Sequence, residues 1–302
     1  MNKQIITFTM SEKQSQFEVS RLAEEASRLG VPVRKALYRD LTFDLKNEGS
    51  RVLVGGEEVS RENTMGVWFR VAGTKSGKYT EGRNLLIRLL GGEVFCVNAK
   101  SYLDWPRMGK IAQHGVFIEN KIPVVPTNIF YQKKQILEGN LGGDVWGWPI
   151  IAKHEKGYQG KSVRKFDTWE EESEWVERIN EKNLGMFLWQ KYLPTRWDIR
   201  VIVLGGRTLG GMKRSAVGDE FRSNYSLGGA VETWELSTEE RALAEKVAGV
   251  CGLDYCGVDI MKDEEGKNYV LEVNRQCQFA GFEKATGINV ARAVVEMLLE
   301  KE

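Results

Sequence analysis

The sequence GVDIMKDEEGKNYVLEVN, residues 257–274, decides the interpretation of the whole chain. Two apolar runs flank a charged segment that contains Gly266, a pattern typical of a β-hairpin. Such a hairpin places Asp259 on one strand and Glu272 on its partner. Glu272 and Asn274 are two residues apart, so their side chains leave the same face of the strand. The sequence therefore predicts that the oxygen atoms of these three side chains converge on one patch.

Side-chain oxygens arranged in this way suit Mg²⁺, which binds carboxylate and carbonyl oxygens together with water and substrate phosphates. The alternative is that Asp259 and Glu272 are solvated strand residues without a ligand. Both carboxylates interrupt apolar runs, whereas a strand with one solvated face would alternate more regularly. We therefore interpret Asp259, Glu272 and Asn274 as a candidate metal site.

Three motifs in this part of the chain carry a family resemblance, namely GVDI at 257–260, LEVN at 271–274 and GFEKATGINVA at 281–291. Together they resemble the C-terminal signature of the ATP-grasp superfamily, and most closely its RimK-like branch of peptide-modifying glutamate ligases. The resemblance implies that Asp259, Glu272 and Asn274 hold the Mg²⁺ ions of MgATP, with Mn²⁺ as an alternative ion.

Composition narrows the class of protein. The chain has 302 residues, with 43 basic and 42 acidic side chains and a formal net charge of +1, which argues against nucleic acid or a membrane as a main partner. Its four cysteines and two histidines form no zinc pattern, so free thiols in a reducing compartment are expected. Residues 1–13 lack the apolar core of a signal peptide, and no apolar run reaches the length of a membrane span. We therefore expect a cytoplasmic protein.

Strand and helix patterns alternate along the chain. Predicted strands lie at residues 4–10, 31–37, 51–54, 57–60, 66–72, 93–97, 148–153, 186–192, 201–204 and 208–212. Predicted helices lie at residues 15–29, 80–90, 108–120, 131–139, 167–180, 237–251 and 289–302. The alternation favours an α/β (α+β) fold whose first part is an open α/β sheet. No G-x-G-x-x-G follows the first strand, which argues against a dinucleotide site there.

The resemblance implies an ATP-grasp fold with the nucleotide between two lobes. On this basis residues 1–108 form a small N-terminal α/β domain that precedes the ATP-grasp region. Residues 109–191 form the small, or lid, subdomain, and residues 192–302 form the C-terminal subdomain with the metal site.

A lysine and a glycine-rich loop form a candidate phosphate site within the lid. Lys153 ends an apolar strand, and Gly157 and Gly160 follow it in a short loop. Glycines let a backbone approach a phosphate closely, and a strand-end lysine supplies a charge for the same anion. An ordinary hairpin turn has the same pattern, and this is not a Walker loop. Beside the family motifs, the segment resembles the flexible lid of these enzymes, with Lys153 on the phosphates.

The resemblance extends to the rest of the ATP site. Lys110 matches a lysine at the start of the ATP-grasp region, and Lys191, Tyr192 and Leu193 match the hinge, where the backbone at Lys191 and Leu193 is expected to bind adenine. Many relatives carry Glu where this chain has Lys191. The remaining residues that the resemblance assigns to ATP are Asp198, Arg222, Ser223 and Asn224.

Arg200 and Arg214 are the candidate catalytic residues. We expect Arg200, Arg214 and Arg222 to lie near strand ends or in loops, where guanidinium groups can bind phosphate and carboxylate oxygens. Surface ion pairs are the alternative interpretation for each of them taken singly. Their order along the chain with Lys153 and the acidic residues favours a site for a polyanion with bound metal.

One loop departs from the family pattern. Relatives follow the metal-binding Asn with N-x-S-P-G-x-x-G, whereas this chain continues as Arg275-Gln276-Cys277-Gln278-Phe279-Ala280-Gly281. Arg275 adds a cation beside the predicted metal site, where an acidic substrate group would be favoured. Arg70, at the end of a predicted strand, is a second candidate for a substrate carboxylate, with a surface arginine as the alternative. Cys277 is expected to be an inert thiol.

The resemblance implies an ATP-dependent carboxylate–amine ligase. A substrate carboxylate would form an acylphosphate with release of ADP, and an amine would then displace phosphate to form an amide. The expected substrates are an amino acid and a peptide or protein, and a homo-oligomer stays open. The alternatives are an ATP-grasp kinase and a non-catalytic ATP-binding module, although loss of the metal ligands would be the mark of the latter.

Overall fold

The computed structural model describes residues 3–13, 15–70, 77–139, 142–155, 163–216 and 230–302. Within these residues the chain forms four β-sheets with helices packed against them. The mixed α/β class predicted from the sequence is confirmed.

The N-terminal part contains the predicted alternation of strands and helices. Its elements are β1 (Gln4–Thr9), α1 (Gln16–Arg28), β2 (Val33–Leu37), β3 (Leu41–Asp44), β4 (Arg51–Val54), β5 (Glu57–Glu58), β6 (Thr64–Phe69), α2 (Thr80–Leu90), β7 (Phe95–Cys96) and α3 (Ala99–Asp104). Strands β2, β1, β6 and β7 pair in parallel in that order, which confirms the predicted open α/β sheet. Strands β3, β4 and β5 form a small antiparallel sheet.

The middle part is built around a second antiparallel sheet. Its elements are α4 (Lys110–Glu119), β8 (Thr127–Asn128), α5 (Lys134–Leu137), α6 (Gly143–Trp146), β9 (Ile150–His154), β10 (Val163–Phe166), α7 (Trp169–Arg178) and β11 (Phe187–Lys191). The strand order is β10-β9-β11-β8. Phe166, Val176 and Trp189 belong to an apolar cluster confined to this part of the chain.

The C-terminal part contains the longest strands of the described residues. Its elements are β12 (Trp197–Leu204), β13 (Arg207–Ser215), β14 (Ala230–Trp234), α8 (Thr238–Val250), β15 (Tyr255–Lys262), β16 (Asn268–Asn274), α9 (Ala280–Thr286) and α10 (Val290–Glu300). The five strands form an antiparallel sheet in the order β14-β13-β12-β15-β16. Ser237 and Glu240 form a capping box at the start of α8, which satisfies backbone N–H groups that a helix leaves unpaired.

Two further apolar clusters join the parts of the chain. In one of them, β1 and α1 pack with α10 and β12. In the other, Val116 and Phe117 of α4 pack with Val201 and Val258 of the C-terminal sheet. Helix α4 thus packs on the C-terminal sheet, although the sequence assigns it to the lid. The domain boundaries at residues 108 and 191 stay predictions.

Short elements account for most of the differences from the sequence-based expectations. Strand β3 and helices α3 and α9 were not predicted, because a run of four to seven residues is too short to show a periodicity. The helix expected at residues 131–139 is limited to Lys134–Leu137. Strand β12 begins four residues before the predicted apolar run and includes both Asp198 and Arg200.

Leu298 joins the N-terminal sheet to the C-terminal part. The side chain is 0% exposed and lies so close to β6 that a Cβ at Gly66 would be 2.7 Å from Leu298 Cδ2. Leu298→Ala should therefore lower the free energy of unfolding by about 2–5 kcal/mol, since it removes buried methyl groups and leaves a cavity. Denaturant titration followed by circular dichroism measures the change. Ile118→Ala, at a helical position that is 62% exposed, should have a much smaller effect, and an equal effect would contradict the packing described here.

Candidate active site

The β15–β16 hairpin brings the three predicted metal ligands together. Asp259 pairs directly with Glu272, and Gly257 pairs with Asn274. The Asn274 side-chain amide donates a hydrogen bond of 3.0 Å to Glu272 Oε1. A β-bulge lies next to this pair, because Ile260 pairs with Val270 and the register skips Leu271. The predicted convergence of these side chains on one face of the hairpin is confirmed.

Arg200 lies opposite Asp259 on the neighbouring strand and binds it through both carboxylate oxygens. The distances are 2.7 Å from Arg200 Nε to Asp259 Oδ1 and 2.6 Å from Nη2 to Oδ2, the forked geometry that arginine favours. Arg200 lies in the middle of β12, so the expectation that it would lie near a strand end or in a loop is wrong. The sequence predicted a strand only for the apolar residues 201–204, so it missed the first half of β12, which contains Arg200.

Arg214 connects two carboxylates across β13, β12 and β15. It donates 2.6 Å from Nε to Asp198 Oδ1, and its Nη2 lies 3.0 Å from Asp259 Oδ2. Burial raises the pKa of Asp259, but the charges and hydrogen bonds of Arg200 and Arg214 outweigh burial and hold that pKa below its ordinary value. Asp259, only 4% exposed, is therefore ionised at neutral pH.

Two lysines bring further positive charge to the same carboxylates. Lys110, the first residue of α4, has its Nζ 3.3 Å from Glu272 Oε2. Lys153, on β9, is half-buried, and burial lowers the pKa of its amine to about 8 although Glu272 opposes that effect. The charges of Lys110, Asp198 and Asp259 also act on the Lys153 amine, so these groups belong to one electrostatic site. The C-terminal sheet and the sheet of β9 therefore both contribute charged groups to this site.

A buried hydrogen-bond chain positions Lys110 and was not anticipated from the sequence. His114 Nδ1 lies 3.0 Å from the Lys110 carbonyl, and Gln190 Nε2 lies 3.0 Å from His114 Nε2 and 2.8 Å from Thr127 Oγ1. Burial lowers the pKa of His114, so the ring is neutral at pH 7. Nδ1 then donates to the Lys110 carbonyl and Nε2 accepts from the Gln190 amide. One indication of the contact between His114 and Lys110 was present in the sequence, because the two residues are about one helical turn apart.

Glu155 joins the end of β9 to the start of α4. Its Oε2 accepts a hydrogen bond of 2.7 Å from the Ile111 N–H, at a helix end where negative charge is favoured. A Cβ at Gly109 would lie 1.7 Å from Glu155 Oε1, so any other residue at position 109 would displace this carboxylate. The contact holds the sheet of β9 against the helix that carries Lys110.

Other predicted ATP residues are only partly described. Gly157, Gly160, Arg222, Ser223 and Asn224 lie outside the described residues. At the predicted hinge, the Lys191 N–H donates to the Pro126 carbonyl at 3.1 Å and the Tyr192 N–H donates to the Pro149 carbonyl at 3.4 Å. The Lys191 N–H is therefore engaged within the protein, so a contact from this residue to adenine would use its carbonyl. Leu193 is 9% exposed, and its role at the hinge stays a prediction.

The donor set fits Mg²⁺. Asp259 uses three of its roughly four lone-pair positions on Arg200 and Arg214, which leaves one position on Oδ1 for a metal ion. Glu272 and the amide oxygen of Asn274 supply further hard donors on the same face. Within the described residues, no group of three His, Cys, Asp or Glu side chains is arranged to hold a metal ion. One or two carboxylates with water and substrate phosphates are the usual environment of Mg²⁺.

The two predicted substrate arginines lie beside the loop that follows Asn274. Arg70 is 0% exposed, and its Nη2 lies 3.1 Å from the Cys277 carbonyl. Arg275 directs Nη1 to the carbonyls of Ser101 and Trp105, at 3.1 Å and 2.7 Å, so its charge faces the end of α3. The expectation that Arg275 would place its charge beside the metal ligands is wrong. These helix-end carbonyls attract the cation.

Cys277 is a buried thiol. Its Sγ is 3.1 Å from the Tyr255 hydroxyl, and burial raises its pKa. Cys96, Cys251 and Cys256 are also free and buried. This agrees with the expectation of inert thiols.

A family comparison assigns the class of protein. The RimK-like ATP-grasp domain model matches residues 108–298. The chain therefore belongs to the RimK-like ATP-grasp family. The region that this model matches includes all of the carboxylates and cations that form the site.

The similarity to individual curated proteins covers about half of this chain. The chain is 36% identical over 159 residues to the probable alpha-L-glutamate ligase 2 of Pseudoalteromonas atlantica, covering 52% of each chain. It is 32% identical over 155 residues to beta-citrylglutamate synthase B of Danio rerio, covering 51% of this chain and 38% of that protein. The chain thus spans about half the length, or less, of these relatives.

Solved structures show the ATP-grasp fold over the full length. The ATP-grasp ligase PsnB, complexed with a minimal precursor, has a TM-score of 0.77 at 17% identity, covering 100% of this chain and 99% of that chain. A RimK domain protein from Sphaerobacter thermophilus has a TM-score of 0.67 at 18% identity, covering 98% of this chain and 99% of that chain. The predicted ATP-grasp fold is confirmed. No helix of the described residues has the length and apolar character needed to cross a bilayer.

Glu272→Gln should lower ADP release at least about 100-fold at saturating Mg²⁺, because the amide removes one negative charge from the metal site and loss of such an electrostatic contact typically costs that much. A coupled ADP assay measures the change. Glu265→Gln changes an exposed residue in the turn of the same hairpin and should leave turnover intact. Wild-type turnover in Glu272→Gln would remove Glu272 from the metal site.

Asp259→Asn should abolish ADP release and also destabilise the protein, unlike Glu272→Gln. The structure buries Asp259 between Arg200 and Arg214, and removing one partner of a buried ion pair typically costs about 3–5 kcal/mol. Thermal unfolding of the two amide variants side by side measures the difference. Equal stability of the two variants would contradict the described pairing of Asp259.

Lys153→Ala should weaken MgATP binding by about tenfold or more, since a hydrogen bond to a charged group contributes about 1.5–3 kcal/mol. Lys153 is protonated below its pKa of about 8 and loses its charge as the pH rises through that value. Affinity for MgATP should therefore fall with rising pH, and binding near pH 8 should take up a proton. Calorimetry in buffers of different ionisation enthalpy measures both effects.

Lys153→Arg is the matched control for this pH dependence, because arginine keeps its charge over the whole range. It should bind MgATP without proton uptake near pH 8. Proton uptake that is the same in Lys153→Arg and the wild type would assign the titration to another group.

Proposed function

We propose that the protein is an ATP-dependent carboxylate–amine ligase that forms an amide through an acylphosphate and releases ADP and phosphate. One observation carries the proposal: the register of β12, β15 and β16 sets Asp259 and Glu272 side by side, with Arg200 bound to Asp259. Family membership supports the assignment. The names of the two relatives, a glutamate ligase and a beta-citrylglutamate synthase, agree with amide formation.

The nucleotide binds between the sheet of β9 and the C-terminal sheet in this proposal. Lys153 and Lys110 bind phosphate oxygens, and the family resemblance adds Gly157 and Gly160, which lie outside the described residues, to the same phosphate site. The hinge at Lys191, Tyr192 and Leu193 binds the adenine. Asp198, Arg222, Ser223 and Asn224 complete the ATP site, with Asp198 acting through Arg214, which it holds at 2.6 Å.

Asp259, Glu272 and Asn274 hold the Mg²⁺ ions that accompany ATP. When bound, Mg²⁺ neutralises the β- and γ-phosphate oxygens and so makes the γ-phosphorus easier to attack. Arg200 and Arg214 orient Asp259 for this role and keep it ionised. Mn²⁺ is an alternative ion at the oxygen atoms of Asp259, Glu272 and Asn274, because it also accepts oxygen donors.

The reaction proceeds in two displacements. An oxygen of the substrate carboxylate attacks the γ-phosphorus, and the bond to the β-phosphate oxygen breaks to release ADP. The amine nitrogen then attacks the acyl carbon, phosphate leaves, and the nitrogen loses a proton to give the amide. Each guanidinium carries five N–H donors, so Arg200 and Arg214 retain donors for the transferred phosphoryl group beyond those that bind carboxylates. The protein contributes positioning and charge stabilisation.

We propose that the two substrates are an amino acid and a peptide or protein. Support comes from PsnB, whose structures with precursor peptide and with Mg and ADP share this fold. An ATP-grasp kinase would use the same ATP site but would leave a stable phosphorylated product. The described contacts favour neither an oligomer nor a particular cellular location.

Hydroxylamine trapping over a panel of amino acids and peptides tests the proposal. Hydroxylamine should intercept the acylphosphate, so hydroxamate should accumulate in step with ADP only when the correct carboxylic acid is present. With the amine substrate in place of hydroxylamine, an amide should form. Release of AMP and pyrophosphate, or a stable phosphorylated product without amide, would refute the ligase assignment. Glu272→Gln is the control that should yield no hydroxamate.

A further inference from the structure

Helix α4 begins at a glycine, which has no side chain that could cap it. Gly109 is the N-cap residue of α4 and makes no side-chain hydrogen bond, whereas Ser, Thr, Asp and Asn cap a helix through their side chains. Its backbone angles, φ −80° and ψ 176°, are open to any residue, so the conformation does not require glycine. Space does, because a Cβ at position 109 would lie 1.7 Å from Glu155 Oε1.

Glu155 supplies the missing cap from a distant part of the chain. Its Oε2 accepts a hydrogen bond of 2.7 Å from the N–H of Ile111, the second residue of α4, and so satisfies one of the donors that a helix leaves unpaired at its start. The backbone of Glu155 is fixed as well, because its N–H donates to the Met186 carbonyl at 2.7 Å. Glu155 therefore bridges the middle sheet and the first turn of the helix.

Polar contacts of this kind determine where α4 lies relative to the middle sheet. Among the described residues, the apolar cluster of that sheet contains no residue of α4, and the cluster that contains α4 residues includes none from β9, β10 or β11. The Glu155 contact acts at the first turn of α4, and the contact between His114 and Gln190 acts about one turn further along. Loss of the Glu155 contact should therefore shift the start of the helix without unfolding the helix or the sheet.

Each end of the contact lies beside a lysine of the proposed phosphate site. Lys110 is the first residue of α4 and adjoins Ile111, and Lys153 precedes Glu155 by two residues. The charge of Lys110 disfavours the protonated form of Lys153, so the two amines do not stay together by mutual attraction. Glu272 attracts both amines, whereas Glu155 fixes the backbones from which they extend.

We infer that Glu155 is a positioning residue for phosphate binding. It holds Lys153 and Lys110 at a spacing at which both bind one nucleotide, and Gly109 makes room for it. Glu155 does not bind the nucleotide itself, since a carboxylate repels phosphate. Its contribution is preorganisation, because two lysines that are already in place lose less freedom when a polyanion binds. This inference rests on the proposed function, which assigns both lysines to ATP.

Calorimetry with MgATP on Glu155→Ala and Gly109→Ala tests the positioning role. Both variants should raise the Kd of MgATP by about tenfold, as for loss of a charged hydrogen bond, while adenosine, which lacks phosphates, should bind as it does to the wild type. Gly109→Ala displaces the Glu155 carboxylate but suits the backbone at that position, so it breaks the contact in a folded protein.

Glu174→Ala is the matched control, because it removes an exposed glutamate of the same part of the chain, paired with Arg178. It should leave both affinities unchanged. An unchanged Kd for MgATP in Gly109→Ala or in a folded Glu155→Ala would overturn the inference, as would an equal loss of affinity for adenosine.

The sign of the change separates positioning from an effect of charge alone. Removing a carboxylate near a phosphate site would by itself tighten MgATP binding, whereas loss of positioning weakens it. Glu155→Gln keeps an oxygen that accepts the Ile111 N–H and should stay within about threefold of the wild type. Glu155→Asp keeps the charge but is one methylene shorter, so it should behave like Glu155→Ala. Tighter binding in Glu155→Ala, or wild-type affinity in Glu155→Asp, would contradict the positioning role.

A double-mutant cycle determines whether the two residues act through one contact. If Gly109→Ala acts by displacing Glu155, the double variant should raise the Kd by about tenfold, as each single variant does, whereas independent effects would multiply to about a hundredfold. Hydrogen exchange of the Ile111 amide, measured without nucleotide, should be faster in all three variants. Multiplied effects, or exchange as slow as in the wild type, would overturn the inference.

The two proposals fail in distinguishable ways. If the variants weaken MgATP binding as expected but the wild type forms no hydroxamate with any acid, the ligase function fails and the positioning role remains. If the wild type forms hydroxamate and both variants bind MgATP as tightly as the wild type does, the ligase function remains and the positioning role fails. Absence of MgATP binding to the wild type would overturn both.

Discussion

The forked ion pair between Arg200 and Asp259 is the interaction on which the site depends. It crosses from β12 to β15, and Arg214 extends it to β13 and Asp198. Three adjacent strands are thereby held in a register that places charge opposite charge. A buried pair of this kind adds little net stability, because both ions lose their hydration. Its effect is specificity: a shift of one residue would bury each charge without its partner.

The contacts with Arg200 and Arg214 also determine the ionisation and the orientation of the Asp259 carboxylate. Asp259 stays ionised although it is buried, because two guanidinium groups outweigh the cost of burial. It cannot rotate, because both of its oxygens are bound. In the proposed function, a metal ion would therefore meet a fixed oxygen atom, and the protein would need little rearrangement to bind the nucleotide. Among the described residues, the Glu272 carboxylate beside it binds Lys110 and Asn274 rather than a buried guanidinium group, so it is the more adaptable of the two carboxylates.

Polar contacts join the sheet of β9 and β11 to helix α4 and position Lys110. Glu155 on β9 caps the start of α4, and His114 on α4 binds Gln190 on β11. Lys110 lies at the end of this network and faces Glu272. Buried hydrogen bonds thus link β11 to Lys110, which contacts Glu272, one of the proposed metal ligands. The neutral state of His114 matters here, because a protonated ring could not accept the Gln190 amide hydrogen.

The sequence by itself determined the hairpin of residues 257–274, since two apolar runs on either side of a charged turn with a glycine can pair locally and bring Asp259 opposite Glu272. It also determined the family, because GVDI, LEVN and GFEKATGINVA are motifs of local sequence. Short elements such as α3 could not be read from periodicity. Only the tertiary structure decided which cation meets which acid. Arg200 binds Asp259, Arg275 turns to α3, and Arg70 is buried behind Cys277. Those outcomes depend on strand order and packing between residues far apart in the chain, which no local pattern encodes.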